Sequence, residues 1–246
     1  VQLPENKPKP ARVGIVFDYV SAWAWQTQPH GQDFDYFRLI FEFYRGLRKL
    51  GQNIDILPPD IADLSAYDLV LMPGLFELDA NLLAALESFQ GTAIAGPRTN
   101  TRNANFAMRV PLPPDLPGLD ATIVQTESLP PDAPIPLADG GALTRWFEHL
   151  DGEAEVTVRT EDNRPALVRS GGLHYLAGWP DEAALDRILT RALGERGLQI
   201  TRMPEGLRQR DLAHHRVYVN YASVPRTIDN LTIQSADVAV KRHPSS

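Results

Sequence analysis

The strongest constraint on the fold is a short apolar segment followed by a long aromatic-rich one near the N-terminus. Residues 13–18 (VGIVFD) are apolar and β-branched, a pattern typical of a buried strand. A loop follows over residues 19–32. Either Asp33 or Asp35 can then cap a helix that runs to about Leu50, where Gly51 stops it. The sequence therefore predicts a strand followed by a helix that covers it.

The same alternation continues along the chain and predicts a parallel sheet covered by helices. The other predicted strands of this unit are residues 53–57, 68–72, 92–95, 121–126, 155–159 and 173–177. The other predicted helices are residues 79–89 and 181–195. Residues 143–150 fit either a short helix or a strand, and the pattern does not decide between them.

The chain divides into three predicted parts. Residues 1–11 are polar and contain prolines, which is typical of a linker and suggests a fragment of a longer protein. Residues 12–198 form the predicted α/β domain. Residues 199–246 contain short alternating segments and no helical pattern, which predicts a small all-β domain. The proline-rich residues 97–118 are expected to form a protruding excursion with weak local order.

Composition excludes several classes of function. The formal net charge is −7, and no basic run is present, so no nucleic-acid partner is expected. The chain has no cysteine, which excludes disulfides and thiolate sites and fits a reducing compartment. No apolar run approaches the length of a membrane span, so no membrane partner is expected. These observations predict a cytoplasmic protein.

The sequence offers no catalytic, cofactor or metal site. Residues 72–76 (MPGLF) resemble the oxyanion loop of the class I amidotransferase-like fold, in which a nucleophile follows the fourth strand. At that place residues 95–98 read AGPR, without Cys or Ser. No glycine-rich phosphate loop follows the first strand, and no two histidines are spaced to share one helix face. We therefore predict no catalytic residue, cofactor or metal in this chain.

The first long helix carries more apolar side chains than one sheet face needs. A single stripe is supplied by Phe37, Ile40, Phe41, Tyr44 and Leu47. The additional side chains are Phe34, Tyr36, Leu39 and Phe43. We predict that these additional side chains contact another subunit or domain, because exposed aromatic patches mark contacts. The alternative is that loops of the same chain cover them.

The loop before that helix contains three candidate binding residues. Trp23 and Trp25 could stack on a sugar ring or anchor a contact with a domain or subunit. We favour packing for the two tryptophans. His30 is a further candidate for substrate binding.

Several motifs in consistent order resemble one family, the glycoside hydrolase family 42 β-galactosidases. They are VGIVFDY at 13–19, QPHGQDFDYFRLIFEFYRGLRKLG at 28–51, IDILPP at 54–59, LSAYDLVLMPGLFELD at 64–79, GPRTNTRN at 96–103, VNY at 219–221 and ADVAV at 236–240. The resemblance implies a trimerisation domain over residues 12–198. Its expected fold is a flavodoxin-like or class I amidotransferase-like parallel sheet with helices on both faces, followed by the small all-β domain.

The resemblance also implies a role. In that family the two catalytic glutamates lie on a (β/α)₈ barrel that precedes this region. The chain would then be the non-catalytic C-terminal part of an enzyme that hydrolyses terminal β-D-galactosides. Its partners would be its own barrel and the neighbouring subunits of a homotrimer. Two alternatives stay open: a free-standing ligand-binding or regulatory module, and a divergent hydrolase with an unrecognised site.

Overall fold

The computed structural model describes residues 7–27, 29–31 and 33–242. The strands are β1 (Val13–Val16), β2 (Ile54–Leu57), β3 (Leu69–Met72), β4 (Thr92–Ala95), β5 (Thr122–Ser128), β6 (Ile135–Pro136), β7 (Ala142–Asp151), β8 (Glu155–Arg159), β9 (Pro165–Ser170), β10 (Leu173–Leu176), β11 (Gly178–Pro180), β12 (Leu207–Asp211), β13 (His215–Asn220), β14 (Arg226–Ile228), β15 (Leu231–Ile233) and β16 (Val238–Arg242). The helices are α1 (Tyr19–Thr27), α2 (Tyr36–Lys49), α3 (Ala80–Ser88) and α4 (Glu182–Glu195).

The main sheet is mixed, with the strand order β2-β1-β3-β4-β10-β9-β8. The first five strands of that order are parallel, and β9 and β8 add an antiparallel edge. Every residue of β1, β3 and β4 is buried, because helices cover both faces of these central strands. The predicted parallel sheet is therefore present with an antiparallel extension.

The helices lie on both faces of this sheet. The connection from β1 to β2 runs across the sheet in the opposite direction to the connection from β3 to β4. Right-handed crossovers therefore place α2 and α3 on opposite faces. An aspartate caps each of α2, α3 and α4: Asp35, Asp79 and Asp181 accept a backbone N–H of the first turn at 2.7 Å.

A second sheet lies beyond the carboxyl edge of the parallel strands. Strand β10 continues through Ala177 into β11, which pairs with β7. Strand β7 also pairs with β5 and β6. Residues 143–150, which the pattern left open between helix and strand, are part of strand β7. This second sheet closes the edge of the first over the ends of β4 and β10.

The C-terminal region is all-β and has its own small core. Strands β12, β13 and β16 form one antiparallel sheet, and β14 pairs with β15. The buried apolar side chains of this core are Met203, Leu207, Tyr218, Ile228 and Ile233. Gln209 joins the region to the rest of the chain, since its side-chain amide donates to the carbonyl of Gly51 at 2.9 Å.

The end of the predicted linker is tied to this C-terminal region. The N–H of Lys9 donates to the carbonyl of Asp211 at 3.3 Å, and the N–H of Ala213 donates to the carbonyl of Lys7 at 3.1 Å. The linker prediction for residues 1–6 falls outside the described residues. No helix in the described ranges is both long and apolar enough to cross a bilayer.

The predicted loop over residues 19–32 contains helix α1, so that prediction is wrong for residues 19–27. The cause is Asp18, which was placed at the end of the first strand. Its carboxylate instead accepts the N–H groups of Val20 and Ser21, at 3.0 and 2.7 Å, and so caps α1.

The interface prediction on α2 is also wrong, because the four side chains concerned are buried inside this chain. They are Phe34, Tyr36, Leu39 and Phe43. Two neighbouring apolar stripes run along α2 and share Ile40 and Leu47. The chain buries the stripe that contains Tyr36 and Phe43, and it leaves Phe37 and Phe41 exposed.

The proline-rich residues 97–118 are only partly a loose excursion. Asn100 is fully buried, and its side chain donates to the carbonyls of Pro114 and Asp115 at 2.8 and 3.1 Å. The outer part is exposed, with Val110 exposed by 93%. The prediction of weak local order is therefore wrong for the buried base of this segment.

Candidate functional site

The turn after β4 places one arginine inside the protein at the carboxyl edge of the sheet. Gly96 and Arg98 both adopt positive φ angles, of 86° and 61°. The hydroxyl of Thr99 accepts the N–H of Gly96 at 2.9 Å and donates to the carbonyl of Met72 at 2.6 Å. These bonds hold the turn against the end of β3.

Arg98 is only 3% exposed, and its side chain lies among four aromatic rings. The guanidinium carbon is 4.8 Å from the ring centre of Trp25, 5.3 Å from Phe34, 4.4 Å from Phe76 and 5.1 Å from Trp146. These faces stabilise a cation. Burial lowers the pKa of Arg98 to about 9, so the group still carries its proton at neutral pH.

A buried carboxylate lies beside this arginine. Glu148, on β7, is fully buried. Its Oε1 accepts the backbone N–H of Arg98 and the indole N–H of Trp146, both at 3.0 Å, and its Oε2 accepts the hydroxyl of Tyr175 at 2.8 Å. Burial raises the pKa of Glu148, and the three hydrogen bonds oppose that rise. Glu148 thus joins the turn after β4 to β7 and β10.

A cavity of about 260 Å³ opens next to Arg98. Its polar lining includes Arg102, His30 and Gln125. The His30 ring lies 4.6 Å from the Trp146 ring. Burial, followed by the charges of Arg98 and Arg102, lowers the pKa of His30 to about 4, so the imidazole is neutral at neutral pH. The charged lining is completed by Glu148, so two arginines and one glutamate leave the cavity cationic overall.

This arrangement can bind an anion but has no groups for acyl transfer. Arg98 occupies the turn where an amidotransferase-like nucleophile would stand. Glu148 also lines the cavity, but its two oxygens already accept hydrogen bonds from three donors. Within the described ranges, no three His, Asp or Glu side chains are grouped as a metal ion would require.

The three predicted binding residues lie in different environments. Trp25 is buried, and its indole N–H donates to the carbonyl of Gly74 at 2.9 Å, so it can neither stack on an external sugar nor anchor a neighbouring subunit. Both interpretations of Trp25 are wrong. Trp23 is 63% exposed, and His30 lies at the cavity. For these two the predictions stay untested.

Sequence reasoning missed Arg98 and Glu148. The sequence prediction for the turn after the fourth strand concerns a nucleophile only and assigns no role to the arginine there. Glu148 lies in residues 143–150, which fit either a helix or a strand, so the sequence does not define the face on which its side chain lies. An arginine directly after a Gly-Pro turn at the end of a parallel strand was the available signal.

A separate surface on α1 and α2 exposes large apolar side chains. We call it the α1–α2 surface, and it consists of Tyr19, Val20, Trp23, Phe37 and Phe41. The ring of Tyr19 lies 6.4 Å from that of Trp23 and 6.5 Å from that of Phe37. The rings of Tyr19, Trp23 and Phe37 thus lie next to one another across the two helices.

Comparison with known proteins identifies the family. The sequence profile of the β-galactosidase trimerisation domain matches residues 11–199. This chain belongs to that family. The trimerisation domain therefore comprises the seven-stranded sheet, its helices and the second sheet, and the Arg98 cavity lies within it.

Full-length relatives extend well beyond the trimerisation domain. A β-galactosidase from Thermus thermophilus is 34% identical over 206 residues, which cover 81% of this chain and 32% of that protein. The β-galactosidase Bga from Halorubrum lacusprofundi is 33% identical over 231 residues, which cover 80% of this chain and 32% of that protein. The chain spans about a third of the length of these relatives.

Solved structures give the same result for the fold. The β-galactosidase of the psychrophilic Marinomonas ef1 superposes with a TM-score of 0.88 at 26% identity, covering 95% of this chain and 38% of that one. The polyextremophilic β-galactosidase of Halorubrum lacusprofundi superposes with a TM-score of 0.89 at 28% identity, covering 98% of this chain and 41% of that one. The similarity therefore includes the small all-β region after the trimerisation domain.

Proposed function

We propose that this chain is the non-catalytic part of a β-galactosidase that hydrolyses terminal β-D-galactosides. In that enzyme it joins the subunits of a homotrimer and supports the catalytic barrel. The family match and the β-galactosidase relatives support this role. The enclosed position of Glu148 is consistent with a part that takes no direct role in hydrolysis.

The α1–α2 surface is the observation that carries the proposal. Trp23 and Phe41 are exposed by 63% and 59%, and the ring of Tyr19 lies beside those of Trp23 and Phe37. Removing each such side chain from water is worth roughly 1.5–3 kcal/mol, which offsets part of the entropic cost of association. Aromatic side chains are also enriched at protein interfaces.

One type of contact, made by the α1–α2 surface of each subunit, sets the geometry of the assembly. In a trimer the α1–α2 surface of one subunit meets a different surface of the next, and a three-fold rotation closes the ring.

We propose a flavodoxin-like, amidotransferase-like scaffold for this domain, supported by the parallel order β2-β1-β3-β4-β10. We also propose a cytoplasmic location, which the lack of cysteine supports.

Sedimentation velocity over a range of protein concentrations tests the proposal. We expect the wild-type chain to associate with increasing concentration. Trp23→Asp and Phe41→Asp should keep the chain monomeric, because each places a charge in the contact. Val110→Asp is the matched control, since Val110 is 93% exposed on the separate excursion and its replacement should leave association unchanged.

Two outcomes contradict the proposal. One is a wild-type chain that stays monomeric at every concentration. The other is association that Trp23→Asp, Phe41→Asp and Val110→Asp leave equally intact. Circular dichroism of each variant checks that the fold is retained.

A second candidate function is a ligand-binding or regulatory module without catalytic activity. The cavity beside Arg98 favours it, since a cationic cavity at the carboxyl edge of a parallel sheet is a common ligand position. The two functions are compatible, because the cavity and the α1–α2 surface are formed by different residues.

A further inference from the structure

We propose that the cavity beside Arg98 is a binding site for a small organic carboxylate. The carboxylate would meet the guanidinium of Arg98, and the apolar body of the ligand would lie against the outer wall of the cavity. This inference rests on the second candidate function, that of a ligand-binding module. It is independent of trimer formation.

The hydrogen-bonding state of Arg98 is the first argument. Its Nη1 is buried and has no hydrogen-bond partner among the described residues. The neighbouring carboxylate of Glu148 does not fill this role, because its hydrogen bonds come from the backbone N–H of Arg98 and from the side chains of Trp146 and Tyr175. A buried donor without an acceptor is costly, and carboxylates are the acceptors that match a guanidinium best.

Preorganisation of the cation is the second argument. Ring faces on several sides fix the Arg98 guanidinium, the nearest being Phe76 at 4.4 Å and Trp25 at 4.8 Å. A ligand would therefore not have to order a flexible side chain. Arg102 contributes a second positive charge to the cavity, and His30 adds a neutral ring at the same opening.

The remaining walls define the body of the ligand. Leu112, Ile123 and Val124 line the cavity and supply an apolar surface. The volume of about 260 Å³ is slightly below the usual range of small-molecule pockets. A single ring or short chain attached to one carboxylate fits these dimensions and this polarity.

Isothermal titration of the 246-residue chain with benzoate tests the inference. We expect saturable binding of one benzoate per chain. Benzamide has the same shape without the charge and should bind at least about tenfold more weakly, since it lacks the charge-assisted hydrogen bonds. Arg98→Lys should weaken benzoate binding by a similar factor, because an ammonium cannot form the paired bonds of a guanidinium.

A second pair of variants keeps the test independent of the buried arginine. Leu112→Trp narrows the cavity at a partly exposed wall, and we expect it to weaken benzoate binding at least about tenfold. Val110→Trp is the matched control, because Val110 lies on the same excursion but does not line the cavity. It should bind benzoate as the wild type does.

Several results would overturn the inference: no saturable binding of benzoate, equal binding of benzoate and benzamide, or unchanged binding by Leu112→Trp. Sedimentation of the same samples reports on assembly separately. A chain that associates but does not bind benzoate refutes the carboxylate site alone, and a monomer that binds benzoate refutes the assembly role alone.

Discussion

Glu148 and Arg98 place opposite charges in the interior without relying on the usual contact between carboxylate and guanidinium. The carboxylate accepts the backbone N–H of Arg98, and the guanidinium is surrounded by aromatic rings. Each group thus has its own stabilising surroundings in addition to their mutual attraction. Removing one of them leaves the donors or the charge of the other uncompensated.

Replacing Glu148 should therefore destabilise the fold strongly. We expect Glu148→Ala to lower the free energy of unfolding by about 3–5 kcal/mol, because three donors lose their acceptor and a buried cation remains. Glu148→Gln should cost less, since its amide oxygen still accepts. Urea unfolding followed by circular dichroism measures both variants.

The control for this series is Glu155→Ala. Glu155 forms an exposed ion pair with Arg169 at 2.9 Å, and solvent screening makes the contribution of such pairs to stability small. If Glu148→Ala were no more destabilising than Glu155→Ala, the proposed role of the buried carboxylate would be wrong.

His30 should make stability depend on pH in the acidic range. Its pKa is about 4 in the folded protein, against 6.5 as the ordinary value. Between these values the unfolded state binds more protons than the folded state, so the free energy of unfolding rises with pH. Stability is therefore lost as the pH falls from 6.5 to about 4.

The variant His30→Gln isolates this contribution. We expect its free energy of unfolding to fall less than that of the wild type between pH 6.5 and pH 4. Other titrating groups, such as the buried His174, are common to both proteins and cancel in the difference. Parallel curves for the two proteins would show that His30 does not contribute.

The turn that joins β4 to Arg98 depends on one close backbone approach. Gly96 has a φ of 86°, and a Cβ there would lie 2.3 Å from the carbonyl oxygen of Leu176 at the end of β10. No side chain can be accommodated without separating the turn from the strand. Glycine at this position thus allows β4 and β10 to hold Arg98 against β7.

We expect Gly96→Ala to lower the free energy of unfolding by at least about 2 kcal/mol, from the backbone conformation and the overlap together. Gly118→Ala is a matched control, because Gly118 has a φ of 70° and nothing within 4 Å of a Cβ. It should show only the smaller conformational cost. Equal losses in thermal or urea unfolding would mean that the contact with Leu176 is unimportant.

The molecule carries two distinct features on separate elements. The α1–α2 surface is apolar and exposed, whereas the Arg98 cavity is cationic and lies between the two sheets. Neither provides a pair of accessible carboxylates, which most glycoside hydrolases require. The molecule therefore offers one exposed contact surface and one cationic cavity.

We accordingly expect no hydrolysis of β-galactosides by the purified chain. A chromogenic β-galactoside at high protein concentration is the assay, with a full-length β-galactosidase as the positive control. Specific turnover that persists through repurification would show that a catalytic group lies in this chain.

The sequence determined the order of the main elements. The strand at residues 92–95, the helix beginning after Asp181 and the strand at residues 155–159 were all predicted as the structure has them. The reason is local: apolar runs, capping aspartates and terminating glycines act on neighbouring residues. The motifs also carried the family, which the profile match shows.

Only the tertiary structure decided which faces are buried and what surrounds them. The sequence of α2 carries two apolar stripes, and the packing of α1 and the sheet selects the one with Phe43 over the one with Phe41. The surroundings of Arg98 come from Trp25, Phe76 and Trp146, which are distant in sequence. Such surroundings depend on contacts between elements, and local patterns do not encode which distant elements meet.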